Sequence, residues 1–115
     1  MYDGTLDTGL IPLKMCSAVV TLDQYLPGWN LADIEKTTEP QLRSFVYGVS
    51  FNYPFTNMPL VHTGITGFDI GNNDTARISV RTEDISNDGF KIVVETWMHT
   101  RVYKVEVNWI AIGNT

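Results

Sequence analysis

Two aromatic rings bracket a short polar stretch in the last quarter of the chain. Trp97 and Tyr103 stand in the run Thr-Trp-Met-His-Thr-Arg-Val-Tyr (96–103), and a further tryptophan, Trp109, follows in Trp-Ile-Ala-Ile-Gly. The segments on either side alternate apolar and polar residues as strands do. An indole and a phenol on a loop fixed to a sheet present flat apolar faces, while polar neighbours supply hydrogen-bond direction. That combination suits the apolar face and hydroxyl rim of a sugar better than it suits a reaction. The competing reading makes both rings half-buried strand residues, because strand aromatics commonly pack cores.

Arg77 is the second residue with binding chemistry. A guanidinium is always charged and offers a fork of fixed donors that bridges two neighbouring hydroxyls. Arg77 shares its parity with Arg81, so solvent exposure or carboxylate pairing is the alternative for both. His99 falls inside the aromatic turn and is open to either solvent or a site, whereas His62 lies in a strand pattern and reads as a structural histidine. The two histidines are not at metal-ligand spacing and no Cys/His cluster accompanies them, so no metal or other cofactor is expected. No glycine-rich phosphate loop precedes a helix, and no Gly-x-Ser-x-Gly elbow occurs. The 13 acidic residues leave room for a glycosidase pair to meet in space, yet nothing in the sequence marks one. The expectation is a protein that binds and is not an enzyme.

Strand patterns must position these groups. Phe45–Phe51 is rich in aromatic and β-branched residues and ends at Tyr53-Pro54; Leu60–Ile70 follows an Asn-Met-Pro corner. Thr75–Thr82 sets Ile78 and Val80 against Arg77, Ser79 and Arg81. Phe90–Trp97 follows an Asn-Asp-Gly turn, and Arg101–Ile112 sets Tyr103, Val105, Val107 and Trp109 against Lys104, Glu106 and Asn108. Short strands at regular spacing, separated by turn residues, indicate an all-β antiparallel sandwich. The first third is more broken. Gly4, Gly9, Pro12, Pro27 and Gly28 leave space for short strands around Leu10–Leu13 and Ser17–Leu22, and residues 29–36 read as a helical turn capped by Asn30.

Composition bounds the rest. At 115 residues the chain makes one domain with a real core, and 43% hydrophobic with 18% charged residues is globular composition. A net charge of -5, with 8 basic residues against 13 acidic ones, argues against nucleic acid as a partner. No apolar run exceeds four residues, so no membrane insertion is expected. Cys16 is the sole cysteine; it reads as a small buried hydrophobe, and no intrachain disulfide can form. No basic-then-apolar leader opens the sequence. Localisation is accordingly open between cytosolic synthesis with non-classical release and part of an extracellular or virion assembly. Asn73-Asp74-Thr75 matches a glycosylation acceptor, which matters only in a secreted eukaryotic protein.

Five stretches taken in order carry a family resemblance: Val-Ser-Phe-Asn-Tyr-Pro-Phe-Thr-Asn-Met-Pro-Leu-Val (49–61), Ala-Arg-Ile-Ser-Val (76–80), Asp-Gly-Phe (88–90), the 96–103 run, and Trp-Ile-Ala-Ile-Gly (109–113). Together they resemble the H-type lectin domain, the family of snail agglutinins and of the C-terminal domain of slime-mould discoidins. The resemblance implies a six-stranded antiparallel β-sandwich over residues 45–115, with residues 1–44 an unmatched strand and loop segment packed on it. It also implies a homotrimer that binds glycans of the galactose or N-acetylgalactosamine type in clefts between subunits. Arg77 corresponds to the sugar-clamping arginine, Trp97 and Tyr103 to the aromatic wall, and Glu39 is the nearest candidate for the acidic contact. Met98 stands where the snail-type pattern has histidine, so that contact is either lost or passed to His99. The expected function is multivalent glycan adhesion. The rival is a trimeric structural or assembly module, part of an adhesin or viral fibre, that keeps the fold without binding sugar.

Overall fold

The computed structural model describes residues 1–7, 12–33, 42–71 and 75–114. They form seven strands: β1 (Tyr2–Asp7), β2 (Pro12–Asp23), β3 (Arg43–Ser50), β4 (Leu60–Gly71), β5 (Ser79–Glu83), β6 (Gly89–Thr96) and β7 (Arg101–Asn114). One sheet runs β1-β2-β7-β4 and the other β3-β6-β5. Every pairing is antiparallel. The architecture is the expected all-β sandwich, with seven described strands where the resemblance implied six.

Within residues 1–44, β1 and β2 belong to the larger sheet, and Arg43 and Ser44 already open β3 of the smaller one. β2 is continuous over twelve residues where the pattern left room for one or two short strands; Leu10 and Ile11, part of that expectation, lie outside the described residues. β1 pairs with β2 from Tyr2↔Ser17 to Asp7↔Pro12. Its Tyr-Asp-Gly-Thr start has no apolar alternation, so pairing with a neighbour, and not its own pattern, makes it a strand.

β7 is the spine. It pairs with β2 on one side and β4 on the other, and Val105, Val107, Trp109 and Ala111 alternate into the core, each at most 1% exposed. Near Trp109 the core is aromatic: Phe90 meets its ring edge-on at 5.3 Å and Phe51 lies 5.8 Å away, with Phe55 edge-on to Phe51 at 5.1 Å. Each such ring buried contributes about 1.5–3 kcal/mol. Gly89 permits the sheet contact beneath Phe90, because a Cβ there would stand 2.1 Å from the Val49 carbonyl oxygen. Lys14 pins the aromatic-proline corner to β2, donating to the Tyr53 and Pro54 carbonyls with Nζ 4.7 Å from the centre of the Phe55 ring.

The opposite end of the sandwich is closed by residues 29–31, which follow β2. Trp29 tilts against Phe45 at 4.9 Å and donates its indole N–H to the Val102 carbonyl at 2.9 Å, while Leu31 is fully buried. Of the expected helical turn at 29–36, the described part is a single turn beginning at Asn30. Leu31 and Ala32 form a turn that the Asp33 amide closes on the Asn30 carbonyl at 3.4 Å, no helix forms over residues 29–33, and residues 34–36 lie outside the described residues. Gly28 takes a φ of 85°, in the left-handed region, just before the segment. The Leu31 carbonyl, which a helix would use internally, instead accepts from the Val102 amide at 2.8 Å and from Arg43 at 3.1 Å.

Candidate functional site

Arg77 lies just before β5 and not within it. Its amide donates to Thr100 Oγ1 at 3.2 Å, and its carbonyl accepts from Thr96 Oγ1. Two threonine hydroxyls thus stand in for ladder partners, and the ladder begins only at Ser79↔Glu95. The strand expected from Thr75 is shortened for that reason, and Arg77 does not share a sheet face with Arg81. The Arg77 guanidinium donates to the Thr75 carbonyl at 2.9 Å and the residue is half-buried. Arg81 is an exposed strand residue whose charge is matched by Glu83 at 2.9 Å and by Glu95.

The hydroxyls that hold Arg77 belong to the aromatic turn itself. Thr96 ends β6, Thr100 precedes β7, and both are fully buried. Between them Trp97 and Met98 are half-buried and His99 is exposed. Met98 adopts a φ of 60°. For a residue with a side chain that conformation costs roughly 1–2 kcal/mol, so the surroundings must enforce it.

Arg43 enforces it. This first residue of β3 is 8% exposed, and its guanidinium donates to four backbone carbonyls. Nη2 reaches Met98 at 3.0 Å and Thr100 at 2.8 Å; Nη1 reaches Leu31 at 3.1 Å and also Asp33. Burial pulls the Arg43 pKa below its usual value; Asp33 opposes that shift and Arg101 adds to it. Sequence reasoning passed over Arg43, because an arginine opening a strand reads as a solvated edge. The signal was present in its parity, which it shares with Phe45 and Val49 on the core side.

Tyr103 shows how a single bulge redirects a side chain. Asp69 pairs with Lys104 but Ile70 pairs with Val102, leaving Tyr103 as the extra residue. The bulge reverses the alternation. Val102 is therefore fully buried and Tyr103 half-buried, which corrects the expectation that Tyr103 lies on one side with Val105, Val107 and Trp109. Its ring lies across Gly71, where an added Cβ would fall 2.9 Å from Cε2. Its carbonyl accepts from the Gln24 amide at 2.9 Å, which brings Tyr25, 85% exposed, to the same end of the sandwich.

The structure therefore joins the Arg77 main chain to the Thr96–Thr100 turn within one chain and sets Tyr103 at the start of β7 beyond it. Glu39 and Asn73 lie outside the described residues. His62 is exposed on the outer face of the larger sheet, paired across from Ile110, and takes no part in this cluster. Among the described residues no three His, Cys, Asp or Glu side chains gather to hold a metal ion. A guanidinium, two aromatic rings and an exposed imidazole at one end of a rigid sandwich can recognise a polar ligand with an apolar face.

Comparison with known proteins agrees with the fold. The family model for the H-type lectin domain matches residues 46–112. A protein of Fuscovulum blasticum described as "ATP synthase subunits region ORF 7" is 36% identical over 72 residues, spanning 63% of each chain. Two structures of discoidin II from Dictyostelium discoideum, one recombinant and one wild-type, superpose with TM-scores of 0.74 and 0.72 at 22% and 21% identity. Both cover 90% of this chain, and the chain spans only 38% and 37% of theirs. At that identity the likeness is one of fold.

Proposed function

We propose that this chain, which belongs to the H-type lectin domain family by its match over residues 46–112, is a non-enzymatic sugar-binding module for galactose or N-acetylgalactosamine-type glycans. The carrying observation is the pair of threonine bonds that lock Arg77 to the aromatic turn, so that clamp and wall share one rigid support. Arg77 bridges vicinal hydroxyls, Trp97 and Tyr103 stack on the apolar sugar face, and His99 supplies the hydrogen bond that Met98 lacks. Glu39 is the proposed acidic contact.

The module acts as a homotrimer with its sites in clefts between subunits. Support for self-association comes from the outer face of the larger sheet, where Leu60 (82% exposed), Tyr2 and Val19 surround Met15, Ile110 and Ile112. An apolar patch of that kind on a sheet face marks an interaction surface. Single sites of this type are weak, and adhesion strength comes from several sites on one assembly meeting one glycosylated surface.

Met98 favours a second reading, a trimeric assembly module of an adhesin or fibre with the lectin fold and no sugar ligand. A glycan array together with titration by free N-acetylgalactosamine separates the two. Binding that Arg77→Ala abolishes supports the lectin; an intact oligomer silent toward every glycan supports the assembly module.

A further inference from the structure

We infer that Arg43 is the positioning residue of the site: it holds the Met98–Thr100 backbone in the conformation that presents Trp97 and His99. Its consequence for affinity rests on the sugar-binding reading above; its geometry rests on the hydrogen bonds alone. Arg43 is buried and its carbonyl partners belong to two separate segments, 31–33 and 98–100. The Val102 amide donates to the same Leu31 carbonyl, so the link continues into β7.

Only a planar fork with donors on two nitrogens serves two carbonyl pairs at once. A lysine ammonium, a single point with three donors, reaches one pair. Arg43 also meets the one strained residue of the turn. Met98, with its φ of 60°, directs its carbonyl at Nη2, and that bond keeps the left-handed conformation occupied. The two arginines divide the labour: Arg77 faces the ligand and Arg43 shapes the loop that faces it. Residues 31–33 are anchored by the same guanidinium through the Leu31 and Asp33 carbonyls.

The test is Arg43→Lys, alone and combined with Met98→Gly, measured well below the unfolding transition. The Trp97 indole resonance, assigned with Trp97→Phe, reports the turn without ligand; titration with N-acetylgalactosamine reports affinity. Arg43→Lys should shift or broaden the Trp97 resonance and weaken binding at least tenfold. Because glycine occupies positive φ without enforcement, the lysine substitution should perturb Trp97 less in the Met98→Gly background. A lowered melting temperature with an unmoved Trp97 resonance and unchanged affinity would reduce Arg43 to a structural clip and overturn the inference. If Arg43→Lys does not fold, the parent protein decides. Ligand should then shift the Arg43 Nη protons together with Trp97, and silent Arg43 signals beside a shifting Trp97 would also overturn it. A parent that binds no sugar refutes the lectin reading, while the ligand-free Trp97 resonance still judges the positioning.

Discussion

The buried hydroxyl of Thr100 accepts the main-chain amide of Arg77 at 3.2 Å and donates to the Thr75 carbonyl at 3.0 Å. One side chain of the aromatic turn thus sets the path of the segment that carries the candidate sugar clamp. Thr100→Val keeps the shape and removes the acceptor. Leaving the Arg77 amide without that partner should cost about 1–3 kcal/mol in urea denaturation. Sugar affinity should fall as well, since the Arg77 backbone loses one of its two threonine anchors.

Arg77→Ala should behave oppositely. The bonds to Thr96 and Thr100 come from the main chain and survive the substitution, while the guanidinium's bond to the Thr75 carbonyl is lost, so the melting temperature should fall by only a few degrees. Affinity for galactose-type ligands should drop at least tenfold, on the order of 1–3 kcal/mol for a charged clamp. Isothermal titration beside thermal unfolding checks both halves.

Gly71→Ala probes the wall from beneath. The new methyl would fall 2.9 Å from Tyr103 Cε2, and the side-chain ring has to move where a backbone neighbour could not. The expected outcome is a modest stability loss, about 1 kcal/mol, accompanied by weaker binding and a changed Tyr103 ring resonance.

Cys16 gives the protein a pH dependence at the alkaline side. Burial pushes the thiol above its ordinary 9.0; Asp3 raises it further and Lys14 opposes. A raised native value means that the folded state holds its proton longer than the unfolded state. The corresponding stability is complete below 9.0 and is lost as pH rises through the higher native value. Urea midpoints should therefore fall more steeply with alkaline pH in the parent than in Cys16→Ala, and the native thiol should resist thiol reagents until the chain unfolds.

How much of this was legible in the residues depends on who decides each conformation. β3, β6 and β7 announced themselves because their own alternation matches the face they bury, as in Phe45 and Val49, Phe90 and Ile92, or Val105, Val107 and Trp109. β1 and the 29–33 segment did not, since a neighbouring strand and the Val102 amide determine them. Within the site, side-chain type pointed to Arg77, Trp97 and Tyr103, but the bulge beside Asp69 that turns Tyr103 leaves no mark in a two-residue period. Arg43 was hidden for a related reason. Its partners are carbonyls, which every residue has, so nothing in their identities could announce the bond.

The left-handed backbone at Met98 restricts the vocabulary available to that position. Valine, isoleucine and threonine are poorly accommodated there, whereas glycine, asparagine, aspartate and histidine fit. Three of those four carry the polar groups that a sugar hydroxyl would seek. Diversification of ligand preference through this residue is thus channelled by the main chain toward a handful of hydrogen-bonding substitutes, with methionine the apolar exception.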